Sequence, residues 1–231
     1  MLKAALAVVT LAALAAAPAH ALRNRKDAAA EAAAPAYPAA LGAYTPLNYD
    51  LTQDRENILV LDLSNGQRVQ IRLMPQWAPE HVARVKTLAA QGFYNNVVFH
   101  RVIDGFMAQT GDPTGTGQGG SELPDLKAEF NPQPHLRGTV SMARAASDDS
   151  ANSQFFIVFY PRFSLDKKYT VFGRVIDNMA AVDTIQKGEP PENPTRIVQA
   201  SLASENKPVP AVTQPVAPAI TADDLNKPIG Q

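Results

Sequence analysis

Short apolar runs separated by turn-forming residues recur along the middle of this chain, and their spacing limits the folds open to it. Eight runs have the length and composition of strands, over 58–63, 67–74, 97–102, 106–110, 139–143, 155–159, 170–175 and 196–202. Only two segments have helical periodicity, one from Pro79 to Gly92 and one around Val182. The sequence therefore predicts a mainly β fold, a closed eight-stranded antiparallel barrel capped by two α-helices.

One predicted hairpin carries polar side chains on an otherwise apolar segment. Asp104-Gly105 joins two short apolar runs and is a hairpin-type turn signal. If both runs are strands, Arg101 and Gln109 reach one face beside Phe106 and Met107. A cation and an amide at the lip of an apolar pocket, with neither a nucleophile nor a metal ligand, suit conformational chemistry better than bond cleavage.

Composition removes several classes of function. The 231 residues include no cysteine, so neither disulfides nor thiolate metal sites are expected. The four histidines, His20, His81, His100 and His135, show no metal-ligand spacing. With a formal net charge of −1 and no basic face, the chain is not expected to bind nucleic acid. No cofactor and no metal are predicted.

The two ends of the chain differ in composition from its middle. Lys3, the apolar run over 6–17 and the small residues Ala19 and Ala21 are typical of a cleaved secretory signal. The predicted organisation is a signal peptide over 1–21, an Ala/Pro-rich linker over 22–47, a folded domain over 48–203 and a Pro-rich disordered tail over 204–231. The apolar run is shorter than the roughly 20 residues of a span, so the cleaved chain is expected to cross no membrane. We expect a periplasmic monomer.

A glycine-rich segment matches the dinucleotide-binding pattern by letter. Residues 115–120 satisfy G-x-G-x-x-G, which binds a dinucleotide only when a strand precedes it and a helix follows. Asp112-Pro113 precedes this segment, and Glu122-Leu123-Pro124 follows it, so no helix can begin there. The segment is therefore predicted to be a flexible loop.

The residue types of a serine hydrolase are present, but not its sequence motif. Ser141 or Ser153 with His100 and Asp112 could supply the three residue types, but neither serine lies in a nucleophile-elbow motif. His100 lies in a dense apolar run, where a packed, hydrogen-bonded histidine is expected.

Side chains in the run Ser153-Gln154-Phe155-Phe156-Ile157-Val158 would alternate between the two faces of a strand. In a strand, Gln154 and Phe156 share one face, while Phe155 and Ile157 share the other. One face must fill the barrel, so the other presents an amide and an aromatic ring outwards.

Several separated blocks together resemble the cyclophilins, the peptidyl-prolyl cis-trans isomerases. The blocks are Phe99-His100-Arg101-Val102-Ile103, Gly105-Phe106-Met107, Gln109, Gly111-Asp112, Ser141-Met142-Ala143, Ser153-Gln154-Phe155-Phe156-Ile157, Leu165-Asp166 and Val171-Phe172-Gly173. They cover most of the domain, from about residue 58 to residue 185, and occur in the family's order. The resemblance implies a groove on the outer wall of the barrel that binds proline-containing unfolded or partly folded polypeptides.

The resemblance also implies roles for individual residues. Arg101 is similar to the catalytic arginine, and Gln109 to the polar residue that supports it and contacts substrate backbone. The substrate-binding residues implied are His100, Phe106, Met107, Ala143, Arg144, Gln154, Phe156, Leu165 and Tyr169.

Two positions depart from the best-known eukaryotic members of the family. Ser164 stands where those members have tryptophan, and Tyr169 where they have histidine. The ring of Phe163 is a candidate replacement for the missing indole, whereas the only tryptophan, Trp77, lies far upstream. Because that indole lines the cyclosporin site, we expect weak binding of the drug.

Three functions were compared with these residues, and two of them fit. The first is an isomerase that accelerates X–Pro rotation during the folding of exported proteins. The second is a chaperone or scaffold module that binds proline-containing segments with weak turnover, which the changes at Ser164 and Tyr169 favour. A carbohydrate- or nucleotide-binding barrel needs exposed stacking aromatics or a basic groove, and the sequence has neither.

Overall fold

One antiparallel sheet of nine strands organises residues 50–211, the part of the chain that the computed structural model describes. The strands are β1 (Ile58–Leu63), β2 (Arg68–Leu73), β3 (Val97–Val98), β4 (Arg101–Ile103), β5 (Met107–Thr110), β6 (Thr139–Met142), β7 (Phe155–Val158), β8 (Val171–Asp177) and β9 (Arg196–Leu202). The predicted signal peptide over 1–21, the linker over 22–47 and residues 212–231 of the predicted tail lie outside the described residues.

The strand order explains how the sheet curls. Neighbours run β3-β9-β1-β2-β8-β6-β7-β5-β4, and the two end strands are separated in the chain only by Phe99 and His100. Both edges of the sheet therefore meet in one chain segment. The mainly β, antiparallel barrel with two helices is confirmed, with nine strands rather than eight. The predicted strand over 97–102 is two strands, because Val98 pairs with Arg196 of β9 whereas Arg101 pairs with Gln109 of β5.

Two helices cover the barrel, as predicted: α1 (Pro79–Ala90) and α2 (Met179–Asp183). Proline occupies the first turn of α1, where its missing N–H costs no hydrogen bond. The buried face of α1 includes Val82, Val85 and Leu88, which pack into the barrel core. The shorter α2 is capped by Asn178, whose side chain accepts a hydrogen bond from the N–H of Ala181.

Alternation along β5 and β7 separates two apolar clusters. Ala108, Phe155 and Ile157 point into the main core, where Phe155 packs edge-on against Phe172 at a ring-centroid distance of 6.0 Å. Met107 and Phe156 belong to a second cluster on the opposite face of the sheet. The predicted division of the 153–158 run between two faces is confirmed, and it places the second cluster on the outer wall.

The chain remains bonded to the barrel beyond the predicted domain boundary at residue 203. Residues Ala203–Glu205 form a 3₁₀ helix, and the carbonyl of Lys207 accepts a hydrogen bond from Arg68. Pro208 likewise accepts one from the side chain of Gln199. The first residues of the predicted tail are therefore part of the folded unit, because their carbonyls accept hydrogen bonds from Arg68 of β2 and Gln199 of β9.

Candidate active site

A row of directly opposed residues crosses three adjacent strands on the outer wall. Arg101 of β4 lies opposite Gln109 of β5, and Gln109 lies opposite Phe156 of β7. Directly opposed side chains on one face of a sheet are about 5 Å apart at their Cβ atoms, so a cation, an amide and an aromatic ring are neighbours here. The local hairpin sets the first of these pairs, since the N–H of Phe106 bonds to the carbonyl of Ile103 across the Asp104-Gly105 turn.

This row borders an open cavity of about 660 Å³. Its apolar floor is formed by Met107 and Phe156, which are buried, with Leu165 and Tyr169 packed against them. Ten of the eleven residues named from the sequence line this cavity: His100, Arg101, Phe106, Met107, Gln109, Ala143, Arg144, Phe156, Leu165 and Tyr169. The eleventh, Gln154, lines an adjoining cavity of about 480 Å³ together with Gln109, Ala143 and Arg144.

The guanidinium of Arg101 has a partner that the sequence did not indicate. Its Nε donates to Oε2 of Glu189 at 2.8 Å, and the two side chains are 44% and 50% exposed. The family resemblance implies that Gln109 supports this guanidinium, but in the structure of residues 50–211 Arg101 and Gln109 are not hydrogen-bonded to each other. Glu189 lies 88 residues further along the chain, so no spacing pattern could have found it.

The side-chain amide of Gln109 is instead part of a short relay. Nε2 of Gln154 donates to the carbonyls of Gly117 and Gly119, at 3.1 and 2.8 Å. Because carbonyls only accept, this fixes the orientation of the Gln154 amide, and its Oε1 accepts from Nε2 of Gln109 at 2.8 Å. Oε1 of Gln109 is then left as an acceptor at the edge of the cavity.

The glycine-rich loop is ordered around a carboxylate rather than a phosphate. Asp112 is buried and accepts hydrogen bonds from Thr114 and from the backbone N–H groups of Gly117 and Gly119. Burial raises the pKa of Asp112, but these hydrogen bonds outweigh it and lower the pKa to about 2. No helix follows the loop, so the dinucleotide reading fails, and the loop supplies the carbonyls that orient Gln154.

The histidine of the apolar run is packed as predicted but is not hydrogen-bonded. His100 is 5% exposed, and neither ring nitrogen has a hydrogen-bond partner among the described residues. Burial lowers the pKa of His100, with the charge of Asp112 opposing that shift and the charge of Arg101 adding to it. The imidazole of His100 lines the cavity beside Arg101.

A buried polar network lies directly behind the floor of the cavity. Nδ1 of His135 is 2.8 Å from Oδ1 of Asp166, and Nε2 is 3.2 Å from Oγ of Ser141. The His135 ring stacks on Phe156 at a centroid distance of 6.2 Å. Burial lowers the pKa of His135, and the hydrogen bond and charge of Asp166 oppose that shift. Sequence spacing gave no indication of this network.

The hydrogen bonds of Ser141 and Ser153 exclude a serine hydrolase at these positions. Ser141 has no exposed surface, and its hydroxyl donates to the carbonyl of Thr170. Oγ of Ser153 donates to the carbonyl of Gly111. Both hydroxyls are therefore committed to backbone carbonyls in the interior, where no substrate can reach them.

Two cations cover aromatic rings at the rim of the cavity. The guanidinium of Arg144 lies 4.9 Å from the centre of the Tyr169 ring, and that of Arg162 lies 4.7 Å from the centre of the Phe106 ring. The Tyr169 ring meets Phe156 edge-on at 5.7 Å. Phe163 is 64% exposed and is not among the residues that line the cavity, so it does not replace the indole absent at Ser164.

Neither a metal site nor a membrane helix is present in the described part of the chain. Over residues 50–211, no three His, Cys, Asp or Glu side chains are grouped so as to hold a metal ion. No helix in that range is long and apolar enough to span a bilayer.

A curled antiparallel barrel with an arginine, a glutamine and an apolar floor on its outer wall defines a peptide-binding barrel of the cyclophilin class. A family model described as cyclophilin type peptidyl-prolyl cis-trans isomerase/CLD matches residues 58–202. The chain belongs to this family, and its activity is that of a peptidyl-prolyl cis-trans isomerase.

Curated relatives and solved structures agree with this assignment. A probable peptidyl-prolyl cis-trans isomerase of Brucella suis biovar 1 is 46% identical over 170 residues, which is 67% of this chain and 86% of the relative. Peptidyl-prolyl cis-trans isomerase B of Bacillus subtilis is 41% identical over 128 residues, which is 55% of this chain and 89% of the relative.

Two solved cyclophilins have the same fold. A cyclophilin from Hirschia baltica superposes with a TM-score of 0.61 at 29% identity, covering 67% of this chain and 77% of the other. A cyclophilin-type isomerase from Cryptosporidium parvum, solved in the presence of the dipeptide Ala-Pro, superposes with a TM-score of 0.58 at 29% identity. That match covers 63% of this chain and 98% of the other.

Proposed function

We propose that Arg101 catalyses X–Pro rotation by donating a hydrogen bond to the prolyl amide nitrogen as the bond twists. The observation that carries this proposal is the direct opposition of Arg101, Gln109 and Phe156 across three strands beside an apolar cavity. Among the described residues only Nε of Arg101 is occupied, so both terminal nitrogens of the guanidinium are available to a bound peptide.

The physical basis is the loss of amide resonance halfway through the rotation. Resonance gives the planar X–Pro bond partial double-bond character, and the rotation barrier is roughly 20 kcal/mol. In the twisted state the proline nitrogen becomes pyramidal and carries a localised lone pair. A donor aimed at that lone pair binds the twisted state better than either planar state, and only such differential binding accelerates the step. Arginine suits this role because it remains charged and its donors are held in a rigid fork.

The apolar floor accepts the pyrrolidine ring. Met107, Phe156 and Leu165 offer apolar surface against which the ring can pack, with Phe106 at the side. A ring placed there excludes water from the guanidinium, and the lower local dielectric strengthens its hydrogen bond. The C. parvum relative was solved in the presence of Ala-Pro, which supports a proline-containing ligand for the equivalent surface of this chain.

The polar edge of the cavity holds the peptide backbone. Oε1 of Gln109 is a free acceptor for a substrate N–H group, since its Nε2 is already bonded to Gln154. Ala143, Arg144 and Gln154 line the adjoining cavity. In this proposal the residues before proline extend into that cavity. His100 and Tyr169 complete the walls.

The clients are proline-containing unfolded or partly folded polypeptides outside the cytoplasm. Support for this location comes from the composition of residues 1–21, which has the charged start, apolar run and small-residue end of a cleaved signal. Uncatalysed prolyl isomerisation takes tens of seconds or longer, so exported proteins with native cis prolines benefit from acceleration. The mature protein acts as a periplasmic monomer in this proposal. Expression of the full chain in a diderm bacterium, followed by fractionation and mass determination, tests cleavage after Ala21 and the oligomeric state.

The catalytic proposal is tested by Arg101→Ala and Arg101→Lys. A protease-coupled assay on a proline peptide measures turnover, and titration of an uncleaved peptide measures affinity on the same samples. Loss of one preorganised donor costs about 3 kcal/mol, so we expect turnover to fall roughly a hundredfold in Arg101→Ala, with peptide affinity much less changed. Wild-type turnover in Arg101→Ala refutes the role of the guanidinium. Negligible turnover in the wild type, with tight peptide binding, indicates a holding module instead.

A further inference from the structure

A backbone bridge fixes Glu189 beside Arg101 on the side away from β5. Val102 and Gly188 exchange both of their backbone hydrogen bonds, at 2.8 and 2.9 Å. In an antiparallel bridge of this kind, the residue before one partner faces the residue after the other. Arg101 and Glu189 are therefore directly opposed, and the register of the backbone brings their side chains together.

The contact between Glu189 and Arg101 restrains the guanidinium through Nε and does not involve its two terminal nitrogens. The carboxylate of Glu189 accepts from Nε of Arg101 at 2.8 Å, and it lines the same cavity. A carboxylate on Nε leaves both terminal nitrogens free, and no other described side chain bonds to Arg101. An arginine side chain has four flexible torsions, so an unrestrained guanidinium loses considerable entropy when it is aimed at one atom.

We propose that Glu189 is the positioning residue for Arg101, taking the place expected of Gln109. This inference rests on the proposed catalytic role of Arg101 and names the group through which that role is organised. Glu189 limits the side-chain conformations of Arg101 before the peptide binds. The arginine therefore loses less conformational entropy when it donates to the twisted prolyl amide. Gln109 does not share this task, because a guanidinium only donates, and that of Arg101 donates to Glu189 rather than to Oε1 of Gln109.

The size of the effect follows from solvent exposure. Both side chains are about half exposed, and exposed ion pairs contribute modestly because water and salt screen them. We therefore expect kcat/KM to fall about threefold to tenfold when Glu189 is replaced by alanine, much less than on loss of Arg101 itself.

The experiment compares Glu189→Ala, Glu189→Gln and Glu189→Asp in the wild-type and Arg101→Ala backgrounds. The expected loss in Glu189→Ala lies mainly in kcat, with KM little changed. Glu189→Gln keeps an acceptor for Nε and is expected to recover part of the loss. In the Arg101→Ala background, Glu189→Ala is expected to have no further effect. A loop-holding role alone would reduce activity equally in both backgrounds.

A matched ion pair provides the control. Arg137 and Asp183 are joined at 2.6 Å with exposures of 42% and 43%, and neither lines the cavity of about 660 Å³. Asp183→Asn is expected to leave kcat/KM unchanged. Full or raised activity in folded Glu189→Ala, or an equal loss in both backgrounds, overturns the positioning role. Unchanged activity in Arg101→Ala alone is a different result, since it refutes the catalytic proposal and not only this inference.

Discussion

Nε2 of Gln109 donates a hydrogen bond to Oε1 of Gln154 at 2.8 Å, which leaves Oε1 of Gln109 as an acceptor at the edge of the cavity. The order of this relay is set by the glycine-rich loop, whose two carbonyls orient the amide of Gln154. The glycine-rich loop therefore determines which atom of Gln109 faces the cavity. The backbone carbonyls of this loop thus decide that an acceptor, Oε1 of Gln109, lies at the peptide-binding edge.

Replacing Gln154 with leucine is expected to reduce kcat/KM about threefold to tenfold, chiefly through a higher KM. The substitution removes the acceptor that holds the Gln109 amide, so Oε1 of Gln109 is no longer fixed towards the peptide. The protease-coupled assay over a series of peptide concentrations measures the change. Gln70→Leu is the control, since Gln70 bonds to Asp177 and neither residue lines the two cavities. An unchanged KM in Gln154→Leu contradicts the relay.

Introducing tryptophan at Ser164 is expected to strengthen cyclosporin binding about tenfold or more, because an aromatic ring there adds buried apolar contact. Ser164 lies in the exposed 3₁₀ helix Phe163–Leu165, directly before the Leu165 wall of the cavity. Inhibition of the wild type is expected to be weak. Titration of the drug against both proteins measures the difference, and Phe163→Trp is the control because that side chain points to solvent. Equal inhibition of Ser164→Trp and the wild type argues against this account.

The free energy of unfolding is expected to decrease as the pH falls below about 6.5. Burial lowers the pKa of His135 and of His100 in the folded protein, whereas both titrate near about 6.5 when unfolded. The unfolded state therefore binds protons first, so stability is fully present above that pH and is lost as the pH falls towards the folded pKa values. Urea unfolding at a series of pH values measures the slope.

The same experiment on His135→Gln is expected to show a shallower decline over that interval. The slope, rather than the absolute stability, is the quantity compared, since the substitution also disturbs the contacts to Asp166 and Ser141. A wild-type stability that does not vary between about pH 7 and about pH 5 excludes a titrating buried histidine.

Glu129→Ala is expected to lower the free energy of unfolding by about 1–3 kcal/mol. Glu129 closes the start of α1, where it accepts hydrogen bonds from the backbone N–H groups of Glu80 and His81. It also lies 2.6 Å from Nδ1 of the buried His81 ring. Burial opposes its ionisation, but the bonds from His81 and Glu80 prevail and lower the pKa of Glu129.

Urea unfolding of Glu129→Ala and Glu129→Gln tests this cap. Glutamine keeps one acceptor oxygen, so it is expected to retain part of the stability that alanine loses. Turnover at a temperature where both variants are folded is expected to match the wild type, because Glu129 does not line the cavity. Equal stability of Glu129→Ala and the wild type shows that water can replace Glu129 as the hydrogen-bond acceptor for the N–H groups of Glu80 and His81.

Local pattern was sufficient for much of the fold and for the composition of the cavity. The turn at Asp104-Gly105 predicted that Arg101 and Gln109 would lie on one face, and period-two alternation separated Phe155 from Phe156. These features depend on neighbours within about ten residues, where backbone geometry and side-chain alternation decide the outcome. The family resemblance added Leu165 and Tyr169, which no local pattern joined to the cavity.

The tertiary structure alone decided which polar groups are paired. Glu189 meets Arg101 because the bridge between Val102 and Gly188 brings together segments 88 residues apart. His135 and Asp166 are 31 residues apart and likewise meet, behind Phe156, only through the tertiary fold.

The sequence by itself therefore determined a mainly β domain with two helices and the inward and outward faces of β7. It did not separate β3 from β4 or indicate Glu189 at the site. It did not determine the hydrogen-bond partners, because these depend on how the whole sheet curls. That curl is a collective result of packing every strand around one core, and the edges of the sheet meet only once all nine strands are in place.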